Sequence, residues 1–317
     1  MNHEFKTEHC YPDHEIDLKK IFAALWRGRW QILIITILFA AAGGGYAFLS
    51  PNVYQSRVLV APANEENSGL TGLASQFGGL ASLAGISLGS GGSNKTVIAK
   101  ELLRSHIFLS DFIRRHAIEP AIMAVEDWNE RNGELVYDEE KYNRETSEWL
   151  SDEDGESHKP SEWELVEKFR KEILSVSESK ETGMITIGVR HYSPIVAKQW
   201  AEWIIKDLNE YVRDQDIKEA EARVSYLKEK LDETNVAGMQ QVFYQLIESE
   251  IRTVMLANAQ EEYVFKTVDP SIVPEEKSAP KRALIIVVAT MLGVIFSMFT
   301  VLIHEFLRFI KAKAVES

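Results

Sequence analysis

The sequence predicts an α+β protein with two transmembrane helices that flank an exported α/β domain, from which one long helix protrudes. Two apolar stretches without a charged residue lie near the two ends of the chain, at residues 30–49 and 283–303. The segment between them mixes strand-like and helix-like patterns. One helical pattern in that segment continues without a break over residues 194–234.

The second apolar stretch is long enough to cross a bilayer. Its 21 residues would extend roughly 31 Å as a helix, which matches the hydrocarbon core of a membrane. The first stretch has a cleaved signal peptide as its alternative, with cleavage after Ala42. The residues before it form an unusually long and partly acidic n-region, which favours a retained helix.

Basic residues orient both stretches. Lys19, Lys20, Arg27 and Arg29 lie before the first stretch, and Arg308, Lys311 and Lys313 lie after the second. By the positive-inside rule, both termini are cytoplasmic and residues 51–280 are exported. This exported segment holds 41 acidic and 25 basic residues, so we expect no binding to nucleic acid. The single cysteine, Cys10, lies in the N-terminal tail, so the exported part has no internal disulfide.

The chain is therefore divided by its two spans. The predicted parts are a cytoplasmic tail at 1–29, transmembrane helix 1 at 30–50, the exported domain at 51–280 with long helices at about 194–234 and 239–259, transmembrane helix 2 at 281–303, and a cytoplasmic tail at 304–317.

The exported domain combines strands with short helices. The prediction is a strand at 53–61, two short helices between 96 and 117, a solvated acidic loop at 151–160, a helix at 162–171, a hairpin formed by 174–177 and 184–189, and a last strand at 263–268 beside the first.

The long helix has a clear start. Ser193 can cap it and Pro194 fits its first position. Apolar residues then recur every three or four positions, from Val196 through Trp200 and Ile204. A helix over 194–234 would be roughly 60 Å long. A single domain seldom needs this length for its own core, so we expect a coiled coil or an oligomer contact surface.

Three groups of residues are candidate functional sites. Pro270, Pro274 and Pro280, followed by Lys281, form a proline collar (residues 269–281) that we expect to be extended and stiff before the second span. An apolar glycine-rich loop contains Gly78, Gly79, Leu83 and Gly85 and should pack against another surface. Small residues that permit close packing of the spans are Gly44 and Gly45 in the first and Gly293 and Ser297 in the second.

No stretch predicts catalysis. Residues 89–96 come near the phosphate-binding loop pattern, but Asn94 replaces its second glycine and an exported segment meets no ATP. Cysteine and histidine lack zinc spacing, and no nucleophile-elbow pattern occurs. Acidic residues such as Asp127, Asp138 and Asp152 lie in a run typical of a solvated surface. We expect no enzyme activity, no cofactor and no metal.

The order of these motifs resembles the Wzz-type chain-length determinants, the polysaccharide co-polymerases of Gram-negative inner membranes. The resemblance is carried, between two spans, by Tyr54 to Arg57, Gly78 to Gly85, Thr182 with Gly183, His191 to Pro194, Asn209, Asp216, Ala220, Tyr226 with Leu227, Val268 to Pro270, Pro274, and Pro280 with Lys281. One departure is Pro270, where the family pattern has a small residue nearby.

The resemblance implies a periplasmic α/β base domain with a long protruding helix, assembled as a homo-oligomeric ring of commonly about eight subunits. Such a ring sets the length of O-antigen, or a related lipid-linked polysaccharide, made by a membrane-embedded Wzy-type polymerase. Co-polymerases with a tyrosine kinase add a Walker domain and a tyrosine-rich tail, for which residues 304–317 are too short. The alternative function is a polysaccharide-export adaptor whose long helix bridges toward an outer-membrane channel.

Overall fold

The computed structural model describes residues 25–63, 91–152 and 155–315. They belong to two compact units. One contains the described parts of Met1–Ser50 and Pro280–Ser317, and the other contains those of Pro51–Ala279. The α+β class is confirmed, with a candidate membrane helix at each end of the chain and one long helix between them.

The elements follow one another in a mixed order. The helices are α1 Arg29–Leu49, α2 Gly91–Leu102, α3 His106–Arg115, α4 Glu119–Met123, α5 Glu162–Lys168, α6 Pro194–Glu233, α7 Ala237–Ala259 and α8 Arg282–Val315. The strands are β1 Tyr54–Pro62, β2 Val125–Asn129, β3 Glu134–Tyr137, β4 Tyr142–Asn143, β5 Glu148–Trp149, β6 Leu174–Glu178, β7 Ile185–His191 and β8 Phe265–Asp269. A π-helical turn, Phe169–Ile173, joins α5 to β6.

The terminal unit consists of α1 packed along α8. The two candidate spans, Arg29–Leu49 and Arg282–Glu305, have mean hydropathies of 2.2 and 2.6. Most of their apolar side chains face outward, with Leu38, Phe48 and Phe299 among them. A helix in the core of a soluble protein would bury these side chains, so their exposure suits a lipid environment.

The second unit is built on a four-stranded antiparallel sheet with the order β6-β7-β1-β8. Burial alternates along β1, where Tyr54, Ser56, Val58 and Val60 are buried. The predicted hairpin is formed by β6 and β7. The last strand, β8, pairs antiparallel with β1, as the sequence indicated.

The first half of α6 covers this sheet. Its residues Trp200, Ile204 and Leu208 are almost fully buried, because their spacing of four places them on one face of the helix. Large buried residues around α2, α3 and α5 complete the core: Leu103 directly after α2, Phe112 in α3 and Phe169 in the π-helical turn that follows α5. Ser193 caps α6 by accepting a hydrogen bond from the Val196 amide.

The second half of α6 leaves the core and pairs with α7. Among the described residues, α6 buries only Ala220 beyond Val212, and α7 buries only Ile247 and Ala257. An ion pair between Arg223 and Glu250, with 3.0 Å between the atoms, joins the two helices.

The acidic segment after α4 is exposed at Asp127 and Asp152, as expected of a solvated run, but it also has strands that were not predicted. It contains two small hairpins, β2–β3 and β4–β5. Aromatic contacts anchor them: Trp128 packs edge-on against Tyr54 of the main sheet, and Trp149 packs against Tyr142. The contact of Trp128 with Tyr54 joins residues distant in the sequence and produces no local pattern, so the sequence did not predict the β2–β3 hairpin.

Two helix boundaries also differ from those predicted. The helix predicted at 162–171 ends its α-helical part at Lys168 and continues into the π-helical turn. Helix α2 already begins at Gly91, five residues before the predicted start. The predicted glycine-rich loop residues Gly78, Gly79, Leu83 and Gly85 lie outside the described residues.

Candidate functional site

The proline collar follows β8, and its part in the second unit is tied by backbone hydrogen bonds to Val53, the residue before β1. The Val53 amide donates to the Ala279 carbonyl at 2.9 Å, and the Ala279 amide donates to the Val53 carbonyl at 3.1 Å. No helix or strand occurs in the described chain between Asp269 and Arg282. These hydrogen bonds hold together the two ends of the unit without using any proline.

Side chains fix the middle of the collar. The Ser56 hydroxyl donates to the Ile272 carbonyl at 2.7 Å, and the Ser271 hydroxyl donates to the Lys198 carbonyl of α6 at 3.2 Å. Both serines are buried. The neighbouring side chains of Ile272 and Val273 are exposed, at 71% and 44%. The collar thus presents two apolar side chains on a backbone held by hydrogen bonds.

The predicted small residues of the second span lie against the first. A Cβ atom added to Gly293 would lie 2.7 Å from the Phe39 Cβ and 3.3 Å from the Thr36 Cα, so the two helices approach closely there. Ser297 is fully buried and its hydroxyl donates to the Val294 carbonyl at 2.8 Å. Pro280 and Lys281 come directly before α8, with the Lys281 carbonyl accepting from the Ile285 amide at 3.2 Å.

On the first span, the close contact with α8 is made by Gly43 and not by the predicted Gly44 or Gly45. A Cβ atom added to Gly43 would collide with Ala289, whereas one added to Gly44 or Gly45 would meet nothing within 4 Å. Gly44 and Gly45 therefore face away from α8 of the same chain. Their packing against another helix stays a prediction.

The stretch that comes near the phosphate-binding loop pattern belongs to a helix, and its lysine makes contacts within the fold. Residues 91–96 are helical. Lys95 forms an ion pair with Asp216 of α6 at 3.0 Å, and the Tyr263 hydroxyl donates to the same carboxylate at 2.7 Å. Burial, followed by the hydrogen bond to Asp216, raises the pKa of Tyr263 to about 12. Lys95 thus joins α2 to α6 beside the start of β8.

Asn209 fixes the start of β8. Its side-chain oxygen accepts from the amides of Val264 and Phe265, at 2.8 and 2.9 Å, and its nitrogen donates to the Phe265 carbonyl at 3.0 Å. These bonds satisfy both polar atoms of a side chain that is only 3% exposed.

Helix α7 carries apolar side chains on both sides of the face that packs on α6. One flank, here the first flank, contains Met239, Val242 and Leu246, and the second flank contains Tyr244, Ile251 and Met255. All six are exposed. At 100° per residue the two flanks lie on either side of buried Ile247. If the helix pair stayed isolated, both apolar flanks would face water. The two flanks therefore indicate contacts with neighbouring molecules.

Two models of protein families match the chain. Residues 14–116 match the Wzz model, described as "Chain length determinant protein". Residues 231–306 match the GNVR model, described as "G-rich domain on putative tyrosine kinase".

Over residues 14–116, the chain is therefore similar to the chain length determinant proteins.

The two matches divide the elements of the candidate site between them. The Wzz match includes α1, β1, α2 and α3, and the GNVR match includes α7, β8, the proline collar and the second candidate span. Each match therefore supplies one strand of the β1–β8 pair and one candidate span.

A solved structure is also similar. It is titled "full-length bacterial polysaccharide co-polymerase" and shares 13% sequence identity, with a TM-score of 0.39 over 92% of this chain and 98% of that chain. None of the curated proteins compared with the chain matches it.

Sequence reasoning missed one further feature, a cleft beside α3. It has a volume of about 610 Å³ and is lined by α3, α5 and the β4–β5 hairpin, with Tyr142 and Trp149 among its residues. The three tryptophans between 128 and 163 were a visible signal. Their placement depends on the hairpins, which the sequence did not predict.

Proposed function

We propose that this chain is a Wzz-type chain length determinant, which regulates the length of lipopolysaccharide O-antigen, or of a related surface polysaccharide, without catalysis. It acts as an oligomeric inner-membrane scaffold on a Wzy-type polymerase and its lipid-linked polysaccharide. The observation that carries the proposal is the match of residues 14–116 to the chain length determinant model, which includes the first candidate span and strand β1.

The proposed location is the inner membrane of a Gram-negative cell, with both termini in the cytoplasm and residues 51–280 in the periplasm. The basic residues outside the two spans support this orientation. The proline collar and the glycine-rich loop at 78–92 would then serve assembly or control of the polymerase. The second span, with exposed apolar residues along α8, is the proposed contact for the polymerase.

The proposed assembly is a ring of identical subunits. A closed ring needs two different surfaces on each subunit, because every subunit contacts one neighbour on each side. The two apolar flanks of α7 fit this requirement. A polar substitution on one flank therefore removes every interface of the ring.

This assembly is tested with Tyr244→Asp on the second flank and Gln245→Asp as its control. Gln245 is also exposed but lies on the side of α7 away from α6. Cross-linking in membranes should give a ladder of bands for the wild type and for Gln245→Asp, and monomer for Tyr244→Asp. Native mass spectrometry of the detergent-solubilised protein provides the subunit number. A wild-type chain that is strictly monomeric in both measurements contradicts the proposed ring.

The regulatory function is tested by comparing surface polysaccharide from cells with and without this chain on a silver-stained gel. Loss of the chain should replace a clustered length distribution with an unregulated one, and expression from a plasmid should restore the cluster. The alternative function, an export adaptor, predicts that polysaccharide disappears from the surface while its length distribution is unchanged. An unaltered gel eliminates both functions.

A further inference from the structure

The cleft beside α3 combines an apolar floor with a polar rim. Its floor includes the buried side chains of Ile113, Leu165 and Val166, and Trp149 forms a half-buried wall. Exposed polar groups at the rim include Arg114, Ser147 and Lys159. Pockets of this kind, mostly apolar with a few polar groups that fix orientation, are typical of ligand-binding sites.

Two residues of the cleft have unfavourable backbone conformations. Ala117 and Ser147, with φ angles of +49° and +57°, are the two non-glycine residues with positive φ in the described chain, and both line this cleft. Glycine would adopt the left-handed conformation at lower cost. Residues held in such conformations tend to cluster at functional sites.

The strain at Ala117 has a specific origin. Ala117 follows the end of α3, where its amide donates to the Arg114 carbonyl and the next amide, of Ile118, donates to the Ile113 carbonyl. Glycine is the usual residue at this position of a helix end. The alanine instead places a methyl group in the lining of the cleft, as Ser147 places a hydroxymethyl group there.

The cleft continues into a second depression. This neighbour has a volume of about 510 Å³ and shares Ser110, Arg114 and Glu162 with the first cleft. The Ser110 hydroxyl donates to Glu162 at 2.5 Å at this junction. Two adjoining depressions with shared residues form an elongated site, which suits a chain of linked units better than a single small molecule.

A pyranose ring has the matching chemistry. One face of the ring presents C–H groups that pack against an aromatic side chain, while its hydroxyl groups extend outward to donors and acceptors. The apolar floor, the Trp149 wall and the rim of guanidinium, ammonium, hydroxyl and carboxylate groups complement both parts.

We propose that this cleft binds a short segment of the polysaccharide whose length the chain regulates. The inference rests on the proposed function and specifies where the regulator contacts its glycan. A segment of about two sugar rings would lie against Trp149 and extend past Arg114 toward the second depression.

The test uses the full chain in detergent micelles. The probe is an oligosaccharide of two repeat units, released by mild acid from the surface polysaccharide of the producing cell and labelled at its reducing end. Binding is measured by fluorescence anisotropy. Trp149→Ala should weaken binding at least tenfold, because the stacking surface is lost. Trp163→Ala is the matched control, since Trp163 is 63% exposed on helix α5 beside the cleft and does not itself line it.

Ser147→Gly separates binding from folding. Glycine relieves the positive φ, so this variant should melt at the wild-type temperature or above it. Loss of the hydroxyl group should weaken binding about fivefold, the value of one hydrogen bond. A stable Ser147→Gly variant with wild-type affinity, or equal affinities of Trp149→Ala and Trp163→Ala, overturns the proposal.

The outcomes distinguish this inference from the proposed function. If the wild-type chain restores the length distribution on the gel but does not bind the oligosaccharide, the cleft is not a glycan site and the regulatory function stands. If the chain leaves polysaccharide length unchanged, the regulatory function fails whatever the oligosaccharide does. Capture of a protein by a photo-cross-linker at residue 147, without bound glycan, would assign the cleft to a protein partner and overturn the proposal.

Discussion

His191 shows how a single buried side chain makes the fold sensitive to pH. Its ring is 5% exposed; its Nδ1 atom accepts from the Ser193 amide at 3.0 Å, and its Nε2 atom lies 3.1 Å from the Ala121 carbonyl. This pairing places the single proton of a neutral ring on Nε2. Burial lowers the pKa of His191 to about 4, so the folded protein holds the ring uncharged near neutral pH.

The expected consequence is a loss of stability in mild acid. An unfolded histidine has a pKa of about 6.5, so between about pH 6.5 and 4 the unfolded state binds a proton that the folded state does not. The contribution of neutral His191 is complete above this window and decreases as the pH falls through it. The free energy of unfolding should decrease by about 2 kcal/mol between pH 7.5 and 5.

Urea unfolding of the wild type and of His191→Gln at both pH values measures this effect. Glutamine can still donate and accept hydrogen bonds but does not titrate, so this variant should lose correspondingly less stability on acidification. An equal loss in the two proteins would mean that other groups cause the acid sensitivity.

At the scale of the element, the pairing of α1 with α8 depends on which face of each helix carries small side chains. Gly43→Leu should force the helices apart because its side chain would collide with Ala289. Overpacking of this kind costs about 1–3 kcal/mol, so the melting temperature in detergent should fall by several degrees. Gly44→Leu is the comparison variant and should melt higher than Gly43→Leu, since no atom of α8 lies within 4 Å of its added Cβ. Equal melting temperatures of the two variants would contradict this helix pairing.

The comparison of Gly43 with Gly44 also shows where sequence reasoning stops. Local signals were sufficient for α6, because Ser193, Pro194 and the spacing of Trp200 and Ile204 all lie within a few turns of the helix. The rotation of one helix against another is decided by the partner's surface, which the sequence of α1 does not contain. The same reason explains the hairpin β2–β3, whose Trp128 packs against Tyr54 of the main sheet.

The candidate site was predictable to a similar extent. The prolines of the collar and the small residues of α8 could be identified from composition and spacing. The serine hydrogen bonds of the collar, the two flanks of α7 and the cleft beside α3 depend on the assembled fold. Asn209 carried the resemblance to the family, but its role in fixing β8 requires the position of Phe265.

At the scale of the whole molecule, the collar is the segment through which the second unit continues into the second candidate span. The hydrogen bonds of Val53 with Ala279 and of Ser56 with Ile272 hold its backbone in place. The prolines add stiffness by fixing φ at three positions. Removing a proline therefore loosens the segment without removing the hydrogen bonds that define its path.

Because the prolines provide the stiffness of the collar and the hydrogen bonds define its path, the stiffness can be changed alone. Replacing Pro274 and Pro280 together with alanine should cost only about 1–2 kcal/mol, since each change mainly adds freedom to the unfolded chain. Expression and oligomer size should be preserved. If a stiff collar transmits the position of the ring to the polymerase, the polysaccharide should become shorter or lose its clustered lengths. Pro62→Ala, at the opposite end of β1 from Val53, is the control and should keep the wild-type distribution.

The measurement is a silver-stained polysaccharide ladder beside a cross-linking assay from the same cells. A shifted ladder with an intact oligomer assigns the collar a regulatory role, because assembly alone would then be insufficient for length control. An unchanged modal length of the polysaccharide in the double variant would mean that the prolines only end β8 and precede α8. A lost oligomer would assign the collar to assembly and contradict its role in transmission.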